Sequence, residues 1–404
     1  MTVDRPTLFR LETPIRRYAW GSHDWLSQIR GATSPSAEPE AELWIGAHHA
    51  DSGVVPNMGP LNQLITEEPE YFLGSSVTEK YGRRLPFLLK VLAVGKPLSL
   101  QVHPTLEQAR IGFLNETEAG ISVSSSDRTF VDDSHKPELL VAVTDFDALV
   151  GFRELDEAIS LVELFIAHGA DRLTARILNP LVGAPNSHGL REAFEGLVGQ
   201  PDDELLIEQT VRAARQVASS DGRFAESARW LIEIARLFPG RPDVVATLLL
   251  NLVHLTPGGA LYVAPGQVHA YLGGLGIEIM SSSDNVVRGG LTPKHVDVPS
   301  FLAMIDWTPG TIYRIEGVGD DSTTTWTPPI DDFVLTRIEA RGDSTSLTAK
   351  APMVLFSIDQ GATVERGDER IELKQGESIF VAPGSPISIS GTATLWSGTC
   401  SIGQ

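Results

Sequence analysis

Residues 258–269, GGALYVAPGQVH, contain two glycines, a short apolar run, a Pro-Gly turn and the start of a second apolar segment. A short apolar run between such turn residues is typical of a β-strand that ends in a tight turn. Residues 376–387, GESIFVAPGSPI, superpose on this stretch without a gap and share the tetrapeptide VAPG. Because the same strand and turn occur twice, we predict two copies of one β structure in this chain.

The repeated arrangement resembles the second half of the cupin motif, which folds as a double-stranded jelly roll. The two copies differ at one informative position, since His269 in the first aligns with Ile387 in the second. The resemblance implies a metal-binding imidazole at this position. We therefore expect one working metal site, in the first copy, and a structural role for the second.

The apolar pattern changes twice along the chain. Short apolar runs separated by turn residues fill residues 5–152 and favour antiparallel strands, and strand patterns resume after Gly258. Between them, apolar residues three and four apart, followed by Gly or Pro-Gly stops, predict helices. We predict a mainly β protein with an inserted α-helical domain and cupin-type jelly rolls. The predicted domains are a first jelly roll in residues 1–152 and 257–311, a helical insertion in residues 153–256, and a second jelly roll without the metal site in residues 312–404.

The composition excludes several classes of partner. The 404 residues carry a formal charge of −20, whereas nucleic acids and anionic membrane surfaces are bound through basic faces. No apolar stretch reaches the ~20 residues of a membrane helix, and the opening segment lacks the apolar core of a secretory signal. One cysteine, Cys400, permits neither an internal disulfide nor a thiolate metal cage. We expect a cytoplasmic monomer that binds a small molecule, with any metal held by nitrogen and oxygen ligands.

Three segments carry candidate metal ligands. Gln101 and His103 in SLQVHP are two residues apart, so an extended strand points both side chains to the same face. Glu138 follows the Lys-Pro of HKPEL and is the first polar side chain of the strand ELLVAV, and His269 follows the Pro-Gly turn. Two imidazoles, a carboxylate and an amide oxygen suit a divalent ion with an open coordination position, and zinc is the leading choice. Spacing alone leaves open that these are ordinary core groups with satisfied hydrogen bonds.

Five segments resemble the zinc-dependent type I phosphomannose isomerase family. They are RYAWGSH, AELWIGAHH, LPFLLKVLAVGKPLSLQVHP, HKPELLVAVTDFDALVGFRE and YVAPGQVHAYLGGLGIEIMSSSDNVVRGGLTPKHVD. The resemblance covers residues 15–300 and implies a jelly-roll catalytic domain, an inserted helical domain and a C-terminal β domain. It implies that Gln101, His103, Glu138 and His269 bind one Zn²⁺ per chain. It further implies reversible isomerisation of D-mannose 6-phosphate and D-fructose 6-phosphate through a cis-enediol, which supplies mannose phosphates for GDP-mannose and glycan synthesis.

Four cationic residues stand in unusual contexts. Lys90 lies in the apolar run PFLLKVLAV and should face an anionic group, unless its stem reaches the surface at a strand edge. Arg288 precedes two glycines that would allow a ligand close to the backbone, and its guanidinium suits a phosphate or an enediolate. Lys136 lies next to Glu138, and Lys294 follows Arg288. The resemblance places all four in the active site, with the arginine as a catalytic residue.

The remaining candidates concern the base and the sugar pocket. The candidate bases are Glu278, Lys136, a metal-bound water and, more remotely, Asp284, and the sequence does not choose among them. Glu278 is as compatible with a solvent-facing strand position as with catalysis, and Trp20 with a core position as with a pocket wall. The predicted catalytic residues are Arg288, Lys136 and Glu278. The predicted substrate-binding residues are Lys90, Ser99, Tyr271, Lys294, Trp20 and Asp284.

The other histidines have weaker assignments. His48 and His49 are adjacent, so on a strand they face opposite sides and are not expected to chelate together. His135 is a candidate to orient Glu138 or the substrate. Two rival functions are a non-catalytic cupin that senses a sugar and an iron-dependent oxygenase. Gln101 argues against the oxygenase, which keeps three open positions on its metal, and the four cations favour a phosphorylated sugar over a neutral one.

Overall fold

The computed structural model describes residues 5–125, 127–294 and 296–402, so residues 1–4, 126, 295, 403 and 404 of the predicted domains lie outside it. Within the described residues, strands dominate the first part of the chain. The elements up to residue 152 are β1 (Leu8–Leu11), β2 (Ile15–Arg16), α1 (Trp25–Ile29), β3 (Glu42–Gly46), β4 (Val54–Val55), β5 (Gly59–Pro60), α2 (Leu61–Glu67), α3 (Pro69–Leu73), α4 (Ser75–Tyr81), β6 (Phe87–Val94), β7 (Leu100–Val102), α5 (Leu106–Glu118), β8 (Glu138–Ala142) and β9 (Phe146–Phe152).

Helices follow between β9 and the next strand. They are α6 (Leu155–Ala167), a π-helical turn (Thr174–Leu178), α7 (Asn179–Gly183), α8 (Ser187–Glu195), α9 (Glu204–Ala218), α10 (Ala225–Leu237), α11 (Asp243–Ala246) and a 3-10 turn (Thr247–Leu249). No helix among the described residues is long and apolar enough to cross a membrane.

Strands return after the helices. These elements are β10 (Leu250–Leu255), β11 (Ala260–Val263), β12 (His269–Ser281), β13 (Val287–Gly290), α12 (Val298–Met304), β14 (Tyr313–Arg314), β15 (Val318–Gly319), β16 (Thr323–Trp326), β17 (Val334–Arg341), β18 (Thr345–Leu347), β19 (Met353–Ser357), β20 (Ala362–Arg366), β21 (Glu369–Leu373), β22 (Ser378–Val381) and β23 (Ile387–Thr399). The prediction of a mainly β chain that also contains helices is confirmed.

The long strand β12 joins two sheets. Its first part pairs with β7 and β9, and residues 274–281 pair with β6 and β8. The strand changes partners at Gly274, whose φ of +128° favours glycine and where a Cβ would lie 2.6 Å from the carbonyl oxygen of Asp145. The sheet that contains β6 and β8 has the order β14-β11-β8-β12-β6-β3-β2. All of these pairs are antiparallel.

The C-terminal strands form a second, similar assembly. One path has the order β1-β22-β19-β23-β17-β16-β15, and β23 also pairs with β18 and β20. In both assemblies, VAPG connects a four-residue strand, β11 or β22, to a thirteen-residue strand, β12 or β23. The two copies of the repeat thus occupy equivalent places. The strand β1 pairs with β22, so residues 8–11 extend the C-terminal sheet rather than the first β region to which the sequence assigned them.

Side chains of the first assembly pack into three separate clusters of buried residues. From the sheet with β6 and β8, residues such as Leu89 and Val141 pack against Phe356 and Trp396 of the C-terminal sheet. From the sheet with β7 and β9, residues such as Val102 pack against the helices. The opposite faces of both sheets enclose a smaller cluster that includes Leu92 and Val150. The polar residues of the candidate site share this enclosed face.

Candidate active site

The metal-ligand candidates converge at one end of the enclosed face. His269 begins β12 and lies opposite Gln101 of β7, while Glu138 begins β8 and pairs with β12 at Met280. His103 immediately follows β7. Ligand atoms of His103, Glu138 and His269 lie within 4.8 Å of one another, and all three residues are buried. Residues more than 160 positions apart in sequence therefore form one compact group.

Hydrogen bonds fix the tautomers of the two imidazoles. Nδ1 of His103 lies 2.8 Å from the carbonyl oxygen of Asn285, and Nδ1 of His269 lies 3.0 Å from the carbonyl oxygen of Gln267. A carbonyl oxygen only accepts, so each Nδ1 donates its hydrogen and each Nε2 keeps a lone pair. Burial lowers the pKa of both rings, to about 3 for His103, so both are neutral.

The Nε2 lone pairs face a carboxylate. Nε2 of His103 lies 3.1 Å from Oε1 of Glu138, and Nε2 of His269 lies 3.6 Å from its Oε2. In this tautomer no proton lies between these nitrogens and the carboxylate, and Nε2 of His103 is buried without a hydrogen-bond partner. Three electron-pair donors that converge in a buried space fit a cation such as zinc.

The side-chain amide of Gln101 is held through its nitrogen. Its Nε2 donates to the hydroxyl of Ser99 at 3.1 Å, which leaves Oε1 available on the face shared with His269. Ser99 was predicted to bind substrate, and its contact in the structure is with Gln101.

Glu138 is held as a carboxylate by its neighbours. Burial acts to raise its pKa, but the positive charge of Lys136, with Nζ 2.9 Å from Oε1, lowers it well below its ordinary value. The hydroxyl of Tyr271 donates to Oε2 at 3.4 Å, and burial raises the pKa of this phenol, so it remains a neutral donor. Lys136 and Tyr271 therefore lie beside the candidate metal position.

Lys90 faces two protein carboxylates. Its buried Nζ lies 3.1 Å from Oε2 of Glu278 and 3.9 Å from Oε1 of Glu42. Burial lowers the pKa of Lys90, but these two charges outweigh burial and raise it overall. Burial and the charge of Glu138 raise the pKa of Glu278 to about 7 despite Lys90. The solvent-facing alternative for Glu278 is wrong, since the residue is 2% exposed.

Sequence reasoning missed Glu42. Its Oε2 accepts a hydrogen bond of 2.6 Å from Nε1 of Trp44, so both residues share the site-facing side of β3. Glu42 and Trp44 are two residues apart, so an extended strand points both side chains to the same face. This spacing occurs in every strand, however, and does not by itself mark a functional site.

Arg288 and Lys294 are cations without a carboxylate partner among the described residues. Arg288 lies opposite Gln101 in the ladder between β13 and β7, and Lys294 lies 5.8 Å from the ring centroid of Tyr18, which stacks on Trp20. In the described part of the chain, no carboxylate oxygen lies within 4.0 Å of either cation. Burial lowers the pKa of both groups, and Arg288 lowers that of Lys294 further. This pair forms a cationic wall that suits an anionic ligand.

The two glycines after Arg288 serve packing. A Cβ on Gly289 would overlap the ring of Phe301, and one on Gly290 would overlap the carboxylate of Asp243. The expectation that they let a ligand approach the backbone is therefore wrong. They allow α12 and α11 to pack against β13.

Asp284 lies between two imidazoles. Its Oδ1 is 3.6 Å from Nε2 of His48, and its Oδ2 is 3.3 Å from Nε2 of His49. The prediction that these adjacent histidines face opposite sides is wrong, because β3 ends at Gly46 and the chain turns beyond it. This trio is a second group whose ligand atoms lie within 4.8 Å of one another.

His135 contacts the C-terminal region rather than Glu138. Its Nε2 lies 2.8 Å from Oδ2 of Asp332, which also accepts a hydrogen bond of 2.6 Å from the hydroxyl of Ser281. Asp332 was not identified from the sequence, because no motif marks the region beyond residue 310. The C-terminal region thus holds the segment that carries Lys136 and Glu138.

Comparisons with known proteins agree with this arrangement. A family model described as phosphomannose isomerase type I, catalytic domain, matches residues 8–155. Mannose-6-phosphate isomerase of Escherichia coli is 34% identical over 394 residues, covering 96% of this chain and 98% of that protein; its Salmonella typhimurium counterpart is 33% identical over 393 residues, with the same shares. A crystal structure of mannose 6-phosphate isomerase bound with zinc and yttrium superposes with a TM-score of 0.86 at 32% identity, covering 98% of this chain and 100% of that chain.

Proposed function

The chain belongs to the type I phosphomannose isomerase family, and from this premise we propose that it interconverts D-mannose 6-phosphate and D-fructose 6-phosphate at one zinc ion. This membership confirms the resemblance found in the sequence. The proposed zinc ligands are Gln101, His103, Glu138 and His269. The observation that carries the proposal is the convergence of two neutral imidazoles on a buried carboxylate, together with two cations that have no carboxylate partner in residues 5–125, 127–294 and 296–402.

The donor set suits zinc and the reaction. One carboxylate and three neutral donors leave a bound Zn²⁺ with a net positive charge, which supplies a Lewis acid for sugar oxygens. The protein holds the donors through backbone carbonyls, which aim both Nε2 lone pairs inward. Lys136 keeps Glu138 ionised and therefore available as a ligand.

The substrate phosphate is proposed to contact Arg288 and Lys294. A phosphate would compensate the charges of both cations, and the guanidinium offers two parallel donors. Arg288 lies opposite the proposed ligand Gln101, so a phosphosugar bound there extends toward the metal position. Trp20, stacked on Tyr18, is proposed to line the sugar path.

The isomerisation moves a proton between C1 and C2 of the open-chain sugar through a cis-enediol. Glu278 and Lys136 are the proposed groups for proton transfer, with Arg288 stabilising negative charge on the enediolate. Tyr271 and Asp284 are proposed to hydrogen-bond sugar hydroxyls. Lys90 acts through Glu278, which it contacts directly.

We further propose the division into a catalytic jelly roll, an inserted helical domain and a C-terminal jelly roll, with β1 assigned to the last. Support comes from the equivalent places of the two VAPG turns and from the separate clusters of buried residues. The product mannose 6-phosphate is proposed to feed GDP-mannose and glycan synthesis.

The test combines metal analysis with an enzyme assay. Purified protein is expected to contain about one zinc per chain and to interconvert the two sugar phosphates in a coupled assay. Activity should disappear on removal of zinc by a chelator and return on addition of zinc. His269→Asn should lose zinc and activity, whereas His254→Asn, an exposed position on β10, should keep both. Full activity after complete metal removal would refute the proposal, and zinc binding without isomerisation would favour a sugar-sensing protein.

A further inference from the structure

His48 is a buried polar residue with no role in the reaction as described so far. Its side chain has no exposed area, and its ring packs edge-on against Trp44 with 4.9 Å between ring centroids. Nδ1 accepts a hydrogen bond of 3.3 Å from the backbone N–H of Ala50. Nε2 is buried and has no hydrogen-bond partner in the part of the chain that the structure describes, although it lies 3.6 Å from Oδ1 of Asp284.

These contacts define the protonation state of His48. Burial lowers its pKa to about 4, against the opposing effect of Asp284, so the ring is neutral at neutral pH. Because Nδ1 accepts from Ala50, the single ring hydrogen lies on Nε2. A buried N–H is therefore aimed at a carboxylate from just beyond hydrogen-bond distance. A buried N–H group without an acceptor destabilises the folded state, and a small shift of Asp284 would bring its carboxylate within hydrogen-bond distance.

A second cation between His48, His49 and Asp284 fits this geometry less well. A metal on Nε2 of His48 would require the ring hydrogen on Nδ1. That hydrogen would then face the N–H of Ala50, and two donors would oppose each other. The hydrogen bond from Ala50 therefore favours a donor at Nε2 over a metal ligand.

Trp44, against which His48 packs, belongs to a series of buried polar contacts. Nε1 of Trp44 donates to Glu42, and Glu42 lies beside Lys90, which binds Glu278. Asp284 is more accessible, with its side chain 34% exposed, and its second oxygen faces His49, which is 60% exposed. A fully buried donor thus faces a more accessible carboxylate at the edge of the site.

We propose that His48 is a positioning residue whose Nε2–H donates to Oδ1 of Asp284 and so holds that carboxylate toward a hydroxyl of the bound sugar. The inference rests on the proposed isomerase function. It assigns to a buried imidazole, outside the proposed metal ligands, the task of orienting a substrate-binding group.

Two substitutions separate the roles of the two ring nitrogens. His48→Asn keeps an acceptor near Nδ1 for Ala50 but removes the donor at Nε2. His48→Gln places an amide N–H near the Nε2 position. Loss of one hydrogen bond to a charged group corresponds to about a tenfold fall in kcat/KM for mannose 6-phosphate in His48→Asn, whereas His48→Gln should stay within about threefold of the wild type.

A double-mutant cycle with Asp284→Asn tests whether His48 acts through Asp284. If it does, adding His48→Asn to Asp284→Asn should lower kcat/KM by less than about twofold further. His168→Asn, an exposed histidine bonded to Gln216, controls for histidine replacement and should match the wild type. Melting temperature and zinc content of each variant verify that fold and metal site persist.

The outcomes distinguish this inference from the proposed function. Absence of isomerase activity in the wild-type, zinc-loaded protein overturns the proposed function itself. In an active enzyme, fully additive losses in the cycle overturn the positioning role. Equal losses in His48→Asn and His48→Gln, with both variants folded, also overturn it. A second zinc equivalent per chain that disappears in both His48→Asn and Asp284→Asn would assign the trio to a cation instead.

Discussion

Nδ1 of His103 donates to the backbone carbonyl oxygen of Asn285 at 2.8 Å, which links a proposed metal ligand to the turn before β13. The Asn285 side chain in turn fixes that turn, accepting from the N–H of Val131 and donating to the carbonyl oxygen of Ser134. The direction of the His103 lone pair therefore depends on a side chain that touches no proposed ligand of the metal.

Replacing Asn285 with Ala should weaken zinc binding without removing a ligand. Loss of such supporting contacts typically reduces metal affinity by about 10- to 100-fold. Competitive titration with a chromophoric chelator would measure the change. Asn186→Ala, which removes the exposed cap of α8, should leave zinc affinity unchanged. Unchanged affinity in Asn285→Ala would show that the histidine needs no such support.

Arg288→Ala should strongly reduce turnover while the fold persists. The variant removes a partly buried cation that makes no ion pair in the described part of the chain, so little folded-state interaction is lost. We expect kcat/KM to fall by about 100-fold or more, because a bidentate contact to charged substrate oxygens disappears. Inhibition by inorganic phosphate should weaken in parallel. Arg191→Ala, on the exposed face of α8, is the matched control. Wild-type kinetics in Arg288→Ala would remove this arginine from the mechanism.

Glu278→Gln tests proton transfer with little change in shape. If Glu278 moves the proton, kcat should fall by about 100-fold or more, with zinc content preserved. Incorporation of solvent deuterium into the product should fall by the same factor. Glu42→Gln removes the other carboxylate beside Lys90 and serves as the control for loss of that ion pair. A small loss in Glu278→Gln would leave Lys136 as the candidate, and equal losses in both variants would point to Lys90 instead.

Asp332 should contribute pH-dependent stability. Burial raises its pKa, but hydrogen bonds from His135 and Ser281 outweigh burial and lower it below the ordinary value. A carboxyl whose pKa is lower in the folded state stabilises the protein above its unfolded pKa of about 4, and this contribution is lost as the pH falls through the folded value. Asp332→Asn should therefore reduce the free energy of unfolding by about 1 kcal/mol at pH 7, with a smaller deficit near pH 3.

Urea denaturation of the chelator-treated proteins at several pH values would measure this difference. The exposed Asp343→Asn is the control and should match the wild type throughout. A deficit that is constant with pH would mean that Asp332 contributes only packing.

Sequence patterns anticipated the elements that carry the site better than the contacts around it. The strand period was enough to assign Gln101 and His103 to one face, but only the family resemblance grouped them with His269. The structure brings His269 opposite Gln101 and close to His103. Glu42 and Asp332 could not be assigned to the site from the sequence, because their contacts are with strands and loops that meet only after folding. His48 and His49 were expected to face opposite sides of a strand. The strand β3 ends at Gly46, and the alternation of side-chain directions ends with it.

The pairing of β1 with β22 aligns Leu8 with Val381, so one of the first strands to leave the ribosome finds its partner only when the chain is nearly complete. Until then the ring of Phe9 lacks its contact with the ring of Phe380. Contacts between such distant positions slow folding, and an unpaired apolar strand is a site for aggregation. Nascent chains of this protein should therefore depend on chaperones late in synthesis, and deletion of the first dozen residues should expose the edge of β22 to association with other molecules.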